Sequence, residues 1–238
     1  MKDQYVGDVN DYRKYGLLRV LSNEGRLKTA ICWMLTKGDG RSDGDKIKYL
    51  DEPDWKHYDP ELFDQLYELV KVRKRRKVRA VQELGLIPNC SYYPERFKDE
   101  GASRNAHFDE FLQKYVGQAD LVFFDPDNGY QVKSVRKGRH GSSKYVYQEE
   151  LQAVFERGSS ILLYQHFPRI EREGFTKALF QKIGSSLGAR QVRAFRTPFV
   201  LFLLFQQPRH EQVFQRLSDL VNRMWGKQIE ARSYAVGR

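Results

Sequence analysis

The second half of the sequence alternates apolar segments with amphipathic segments, and this alternation constrains the fold most strongly. A predicted strand over 120–125 is followed by a helix over 147–158, a strand over 159–166 and a helix over 171–188. Strands that alternate with helices pair in parallel through right-handed crossovers. Near-continuous apolar strands such as "SILLYQ" suit a sheet that helices cover on both faces. The pattern therefore predicts an α/β fold.

The C-terminal end of the sequence departs from this alternation. The apolar segments over 190–196 and 199–207 are separated by a very short Thr-Pro turn, which predicts an antiparallel β-hairpin. A helix over 209–225 and a short strand over 228–234 follow. Because no internal repeat and no linker interrupts the pattern, we predict a single α/β domain over 1–238. It has a Rossmann-like, mostly parallel sheet with helices on both faces and a C-terminal antiparallel hairpin.

The first half of the sequence predicts fewer strands. Asn10 and Asp11 are typical helix-capping residues, and Gly25 is a typical helix stop. The predicted elements are a helix over 11–23, a strand over 27–35, a glycine-containing loop over 36–46, a helix over 60–85 that is broken near a basic run, a strand over 89–95 and a helix over 104–117.

The charge of the chain favours a polyanionic partner. The formal net charge is +10 and the sequence pI is about 9.5. Basic globular proteins attract polyanions, and nucleic acid is the first of these to consider. The run "KVRKRRKVR" over 71–79 has seven basic residues in nine, and "KSVRKGRHGSSK" over 133–144 is a second basic segment. The run over 71–79 can also be a solvated helix face. Together the two segments favour nucleic acid, with DNA or RNA left open.

The sequence carries no feature of a secreted or membrane-bound chain. The first sixteen residues contain no apolar signal core, and the apolar run over 199–205 is too short to span a bilayer. Cys32 and Cys90 lie far apart in apolar contexts, which favours buried free thiols. We therefore predict a cytoplasmic protein without a membrane partner.

Polar residues follow three of the predicted parallel strands. Ligands of open parallel sheets bind beyond the carboxyl ends of the strands. These strands run into "TKGDGRSDGD", "DPDNGY" and "QHFPR". If the strands are neighbours, the sequence predicts one cleft that is shared by Asp39, Asp43, Asp125, Asp127 and His166.

The segment "DPDNGY" is the most informative of the three. Pro126 removes a backbone donor and ends the strand, and Asn128-Gly129 favours a turn with positive φ. Asp125 is then held at the last strand position, where its carboxylate can accept a hydrogen bond from an amine or bind a metal. The alternative is a polar turn that caps the strand. Two acids directly after "LVFF" favour a functional site.

The same segment resembles a motif of class I S-adenosylmethionine-dependent methyltransferases. A strand that ends in acid-proline, followed by helix, strand, helix and hairpin, looks like the C-terminal half of that fold. Amino-methylating members carry Asp-Pro-Pro-aromatic, in which the acid holds the target amine and the aromatic stacks on the base. Asp125 and Pro126 match, Asp127 and Asn128 depart from the motif, and Tyr130 is the nearest aromatic.

Two further resemblances cover other parts of the chain. "GDVNDYRKY" is similar to the opening of bacterial large-subunit ribosomal RNA adenine-N6 methyltransferases, and Gly7, Asp11 and Lys14 fall on positions near the cofactor. The chain also resembles an uncharacterised bacterial family. Its shared motifs "GD..DY.KYGLLR", "FDPDNG", "KYVY" and "YQH.PR" occur here at 7–19, 124–129, 144–147 and 164–169.

These residues and resemblances predict a methyltransferase-like site that acts on nucleic acid, with S-adenosylmethionine as the implied cofactor. The expected catalytic residues are Asp125, Asp127, Asn128 and His166. The expected cofactor-binding residues are Asp11, Lys14, Gly38, Asp39, Gly40 and Asp43. The expected substrate-binding residues are Tyr130, Lys133, Arg136, Lys137, Arg139 and Lys144.

Two other functions remain open at this point. Asp125 and Asp127 can hold Mg²⁺ or Mn²⁺ in a nuclease or phosphohydrolase, with His166 assisting and the basic segments holding phosphates. A non-catalytic nucleic-acid-binding module is the other possibility, since a fold does not guarantee an activity.

Overall fold

Seven strands form one sheet in the computed structural model, which describes residues 1–36 and 44–237. Their spatial order is β2 (Cys90–Tyr93), β1 (Thr29–Cys32), β3 (Leu121–Phe124), β6 (Ser160–His166), β8 (Val200–Phe205), β7 (Gln191–Arg196) and β9 (Glu230–Ala235). The pairs among β2, β1, β3 and β6 are parallel, whereas β8 is antiparallel to both β6 and β7, and β9 is antiparallel to β7. The mostly parallel sheet and its C-terminal hairpin are confirmed.

Helices cover both faces of this sheet. The helices are α1 (Val9–Leu21), α2 (Pro60–Tyr67), α3 (Val78–Glu83), α4 (Gly101–Phe111), α5 (Gln148–Phe155), α6 (Arg172–Leu187) and α7 (Glu211–Trp225). One apolar cluster joins the sheet to α1, α2, α3 and α7, and a second joins its other face to α4, α5 and α6. None of the helices in the described ranges has both the length and the apolar character that a bilayer crossing requires.

A glycine allows α1 to approach α7 closely. A Cβ atom at Gly16 would lie 2.1 Å from the ring of Trp225, so only glycine fits without a shift. The Trp225 ring lies 5.0 Å from the ring of Tyr12 and 5.3 Å from that of Tyr58. This aromatic contact fixes the position of α1, which carries residues of the candidate site.

The beginning of α1 differs from the prediction. The N-cap is Asp8, whose Oδ1 accepts a hydrogen bond of 2.7 Å from the backbone nitrogen of Asn10. The sequence offers three short polar residues within four positions, Asp8, Asn10 and Asp11, and only Asp8, which has extended backbone, caps the helix. Asp11 is therefore free of the capping role and lies in the first turn of the helix.

The long helical segment before β2 is broken as predicted. Helix α2 continues into a π-helical turn over Glu68–Val72, and α3 begins only at Val78. Lys74 lies between them with a positive φ of 49°, a conformation that helical residues do not adopt. The basic run therefore forms a connection between two helices.

A small sheet lies between β3 and β6, and the sequence did not predict it. It pairs β4 (Gly129–Tyr130) with β5 (Tyr145–Val146) in parallel. The backbone nitrogen of Asn128 also donates to the carbonyl of Lys144 over 3.0 Å. These bonds close the loop between β4 and β5 and hold the base of that loop beside the end of β3.

The topology places a crevice at one edge of the sheet. From β1 the chain leads to β2 on one side, whereas β3 lies on the other side. Such a switch in strand order opens a crevice outside the carboxyl ends of the strands, where ligands bind in open α/β sheets. Residues 125–128 after β3 and His166 at the end of β6 lie at this edge.

Candidate functional site

A cavity of about 390 Å³ opens at this edge of the sheet. Small-molecule sites occupy roughly 300–1,000 Å³, so the volume suits a ligand. Its walls come from the N-terminal segment, α1, the turn after β3, the end of β6 and the start of β8. The lining residues are Met1, Lys2, Tyr5, Asp8, Asn10, Asp11, Lys14, Gly44, Lys46, Asp125, Pro126, Asp127, Asn128, Lys144, Tyr164, His166, Phe199 and Val200.

A buried lysine links two carboxylates in the cavity wall. The Nζ atom of Lys14 lies 2.7 Å from Oδ1 of Asp11 and 2.8 Å from Oδ2 of Asp125. It also lies 3.4 Å from the sulfur of Met1. Each of the two carboxylates is less than 5% exposed. Helix α1 thus supplies the cation that neutralises the acid at the end of β3.

Aromatic rings surround this lysine on further sides. Its Nζ atom lies 5.4 Å from the ring centroid of Tyr15, 5.5 Å from that of Trp33 and 5.9 Å from that of Tyr164. Burial alone would lower the pKa of Lys14, but the attraction of Asp11 and Asp125 outweighs it and raises the pKa above its ordinary value. The lysine is therefore charged at physiological pH.

Asp11 has a partner on each carboxylate oxygen. Oδ1 faces Lys14, and Oδ2 accepts a hydrogen bond of 2.8 Å from the hydroxyl of Tyr15. Burial raises the pKa of Asp11 to about 6, although the charge of Lys14 opposes the shift. The residue that the sequence assigns to the cofactor thus holds Lys14 and Tyr15 in place.

Asp127 is engaged on the opposite side of the turn. Its Oδ1 lies 2.9 Å from the amino group of Met1, and its Oδ2 accepts a hydrogen bond of 2.6 Å from the hydroxyl of Thr36. Burial would raise the pKa of Asp127, but the amino group and the Thr36 hydroxyl outweigh it and lower the pKa. The two acids of the segment therefore face different cations.

A glutamine of β6 braces the turn that carries both acids. The Oε1 atom of Gln165 accepts a hydrogen bond of 2.8 Å from the backbone nitrogen of Tyr130, and its Nε2 donates to the carbonyl of Asn128 over 3.2 Å. Gly129 has a φ of 114°, and a Cβ atom there would lie 2.3 Å from Gln165. The turn requires glycine for both reasons.

The mouth of the cavity carries an exposed aromatic ring. Phe199 is 46% exposed, and the Nζ atom of Lys46 lies 4.0 Å from its ring centroid. His166 pairs with Val200 across β6 and β8, so it lies beside Phe199 at the rim. Desolvation at the cavity rim lowers the pKa of His166 below its ordinary value, which favours the neutral ring near pH 7.

The structure gathers only part of the predicted set at the cavity. The residues that line it are Asp11, Lys14, Asp125, Asp127, Asn128, Lys144 and His166. Tyr130 lies outside the lining and is buried, with its hydroxyl 2.9 Å from Gln148 Oε1. Four other predicted residues lie outside the lining, on the loop between β4 and β5, and these are Lys133, Arg136, Lys137 and Arg139. Gly38, Asp39, Gly40 and Asp43 lie outside the described residues.

Sequence reasoning missed several residues of the cavity, among them Tyr164, Lys46 and Phe199. Tyr164 was read only as an apolar strand position, and Lys46 only as the end of a loop. Phe199 directly follows the Thr-Pro turn of the hairpin, and an aromatic residue at a turn beside a strand-end site is a signal that could have identified it.

The described residues do not form a metal centre. Within residues 1–36 and 44–237, no group of three or more His, Cys, Asp or Glu side chains is placed to hold a metal ion. Asp125 and Asp127, the metal ligands of the nuclease hypothesis, each face a cationic nitrogen of the chain itself.

The comparison with solved structures gives a weak likeness. No family model and no curated protein matches the chain. One similar solved structure is the protein LPL1258 from Legionella pneumophila str. Philadelphia 1, which is titled with the family model DUF519. The two chains are 12% identical, the match covers 98% of each chain, and the TM-score is 0.47.

Proposed function

We propose that the chain is an S-adenosylmethionine-dependent, methyltransferase-like enzyme that acts on nucleic acid. The observation that carries the proposal is the placement of Asp125, which lies in the wall of a ligand-sized cavity at the carboxyl end of β3. This is the sheet edge where ligands of open α/β folds bind. Asp125-Pro126 is also the part of the sequence that matches the amine-binding motif of amino-methyltransferases.

One oxygen of Asp125 is available to a substrate. Oδ2 binds Lys14, whereas Oδ1 has no hydrogen-bond partner in residues 1–36 and 44–237. A carboxylate oxygen that accepts a hydrogen bond from an N–H group directs the lone pair of that nitrogen elsewhere, and so orients an exocyclic amine for attack. The acid can perform this role while its charge is balanced by Lys14.

The surrounding residues supply the remaining requirements of amine methylation. Lys14 fixes the position of Asp125 through a short, buried contact. Transfer of a methyl group to an amine releases a proton, and the neutral ring of His166 at the rim can accept it or pass it to water. Phe199 offers an exposed ring on which a nucleobase can stack.

The cavity fits the implied cofactor in size and in chemistry. Its volume of about 390 Å³ accommodates a nucleoside-sized group, and Tyr5, Asn10 and Tyr164 in the lining offer aromatic and amide surfaces to such a group. S-adenosylmethionine supplies an electrophilic methyl group when it is bound.

A carboxylate at the end of β2 is a further candidate for contact with the cofactor. Glu95 is exposed and precedes Arg96, which forms a parallel bridge with Leu35 beyond the end of β1. In dinucleotide-binding sheets, an acid near the end of the second strand binds ribose hydroxyls. Glu95 does not line the cavity of about 390 Å³, so this contact would require a ligand that extends beyond the cavity lining.

The proposal is tested by calorimetric titration of the protein with S-adenosylmethionine and with its demethylated product, followed by transfer of labelled methyl groups to RNA and to DNA. We expect micromolar binding and label in one of the two polymers. The variant Asp125→Asn should retain cofactor binding and lose at least about 100-fold in transfer rate, because the amine is no longer oriented.

Asp64→Asn is the matched control, since Asp64 is an exposed acid that pairs with Lys56 on the surface. It should leave the transfer rate unchanged. Absence of heat and of any thermal shift at saturating S-adenosylmethionine would reject the proposal. Cleavage of the polymers that requires Mg²⁺ or Mn²⁺ and Asp125 would favour the nuclease instead. Nucleic-acid binding without cofactor binding would identify a binding module.

A further inference from the structure

The chain has two strongly basic segments, and they differ in how many of their cations are paired with carboxylates. The first is the basic run over 71–79, and the second is the loop over 131–147, called the basic loop below. The basic loop carries five lysine and arginine residues and no aspartate or glutamate. The basic run carries seven lysine and arginine residues. Sequence composition alone therefore ranks the basic run first as a surface for nucleic acid.

The charges of the basic run are largely matched by carboxylates of the chain. Six of its seven cations form ion pairs, and these are Lys71–Asp51 at 2.7 Å, Arg73–Glu68 at 3.0 Å, Arg75–Glu83 at 2.8 Å, Arg76–Asp45 at 3.1 Å, Lys77–Asp3 at 3.2 Å and Arg79–Glu83 at 2.9 Å. Six of the seven cations thus face five carboxylates, and the local excess of positive charge is small.

Arg76 shows what the basic run does for the fold. Its guanidinium donates to the carbonyls of Val6, Gln4 and Gly44 in addition to the carboxylate of Asp45. Gln4 and Val6 belong to the N-terminal segment, whereas Gly44 and Asp45 directly precede Lys46, whose carbonyl accepts a hydrogen bond from the backbone nitrogen of Val9 at the start of α1. Both segments contribute residues to the cavity lining. The side chain is therefore an internal clamp on the wall of the candidate site.

The basic loop keeps its charges exposed. Lys137 lies 3.3 Å from Glu149 and 3.5 Å from Glu150. For the other four cations, no carboxylate partner exists in the part of the chain that the structure describes. These exposed residues are Lys133, Arg136, Arg139 and Lys144.

The basic loop is nevertheless held in one conformation. Arg104 of α4 forms a two-pronged, fully buried ion pair with Glu150 and also donates to the carbonyls of Ser142 and Tyr145. Asp99 accepts hydrogen bonds from the backbone nitrogens of Gly141 and Ser143 at 2.8 and 2.7 Å. A loop that is fixed before binding loses little conformational entropy when it meets a ligand.

The basic loop also connects directly to the cavity. Lys144 lines the cavity, and its carbonyl accepts the hydrogen bond from the backbone nitrogen of Asn128 in the turn of the two acids. A polyanion that lies along the loop is therefore led to the opening beside Asp125. The basic run meets the wall of the cavity through Arg76, and the guanidinium of that residue is occupied by backbone carbonyls and by Asp45.

We propose that the basic loop, and not the basic run, binds the phosphodiester backbone of the nucleic acid and leads the target nucleotide to the cavity. The proposal rests on the proposed function in one respect, namely that nucleic acid is the substrate. The exposed cations of the loop contact phosphates, whereas most cations of the basic run are paired with carboxylates of the chain.

The test is fluorescence anisotropy with labelled single-stranded RNA, single-stranded DNA and duplex DNA at several salt concentrations, without cofactor. The loop variant combines Lys133→Ala, Arg136→Ala and Arg139→Ala. The run variant combines Lys71→Ala, Arg73→Ala and Arg79→Ala, which removes the same charge from exposed pairs. Thermal denaturation verifies that both variants are folded.

We expect the loop variant to bind at least about 10-fold more weakly near 0.1 M salt and to reduce the salt slope by about 2, because each lost phosphate contact lowers the slope by roughly 0.7–0.9. The run variant should bind within about twofold of the unmodified protein. Equal weakening by both variants, stronger weakening by the run variant, or no binding by the unmodified protein would overturn the proposal. Loop-dependent binding without methyl transfer would leave this proposal standing and reject the proposed activity.

Discussion

Lys14 and Asp125 lie 111 positions apart in the sequence and form an ion pair of 2.8 Å from which solvent is almost completely excluded. Asp11 lies on the other side of the same ammonium group. Two carboxylates therefore depend on one cation in a region of low dielectric constant, where removal of the cation leaves both of them uncompensated. This arrangement joins helix α1 to the end of β3, an interior strand of the sheet.

The first prediction concerns this cation. Lys14→Met should lower the free energy of unfolding by about 3–5 kcal/mol, because it leaves buried charge without a partner. Lys56→Met is the control, since Lys56 pairs with Asp64 on the surface, and such pairs contribute about 0–1 kcal/mol. Urea denaturation measures both values. If the two variants are equally stable, the ion pair with Asp125 does not support the fold.

The second prediction concerns the pH dependence that Asp11 imposes. Its pKa is raised from 3.8 to about 6, so the folded protein binds the proton more tightly than the unfolded chain does. The stability that comes from this group is therefore fully present below pH 3.8 and is lost as the pH rises through about 6. In Asp11→Asn this loss disappears.

We therefore expect the stability of Asp11→Asn, relative to that of the unmodified protein, to rise between pH 4 and pH 7 by an amount on the order of 2 kcal/mol. Denaturant titrations at four or five pH values measure the difference. Asp64→Asn, at an exposed position, should give a flat difference over the same range. A difference that falls with pH would contradict the assignment of a raised pKa to Asp11.

The third prediction concerns the buried pair that anchors the basic loop. Arg104 and Glu150 are 0% and 1% exposed. Arg104→Met should cost about 3–5 kcal/mol of stability. It should also make the basic loop sensitive to trypsin, because the carbonyls of Ser142 and Tyr145 lose their donor. Limited proteolysis with mass spectrometry detects the cleavage. Arg79→Met, at an exposed position, should leave the loop resistant.

The fourth prediction concerns the turn that carries the two acids. Gly129→Ala places a Cβ atom 2.3 Å from Gln165 in a backbone with a φ of 114°. We expect a loss of at least about 2 kcal/mol in unfolding free energy from strain and steric overlap. Gly117→Ala is the control, since nothing lies within 4 Å of a Cβ atom there. Thermal denaturation compares the two, and equal melting temperatures would contradict the role of Gly129.

Local patterns predicted the sheet and the position of the acids. The apolar strand before Asp125 and the Asn128-Gly129 turn are both encoded within a few residues, and the structure has them where the pattern indicates. The same reasoning chose Asn10 and Asp11 as caps of α1, whereas Asp8 performs that role. Three polar residues within four positions satisfy the same local rule, and only the path of the backbone distinguishes them.

Local sequence patterns did not predict the contacts between segments that are distant in the chain. Nothing near Lys14 indicates that its partner follows β3, and the basic run over 71–79 reads as a surface although Arg76 points to carbonyls of the N-terminal segment. The nearest aromatic in sequence, Tyr130, is buried, whereas the ring at the cavity mouth is Phe199. Proximity along the chain was a poor guide because a hairpin brings Phe199 to the rim.

The order of the last strands affects how the chain can be assembled on the ribosome. Because β8 lies between β6 and β7, β6 has a neighbour on only one side until residues 200–205 have been made. A nascent chain that stops near residue 190 presents a row of unpaired backbone groups along β6, and such edges pair readily with other chains. Messages truncated in this region should therefore yield aggregates, and synthesis of the hairpin completes the pairing of β6.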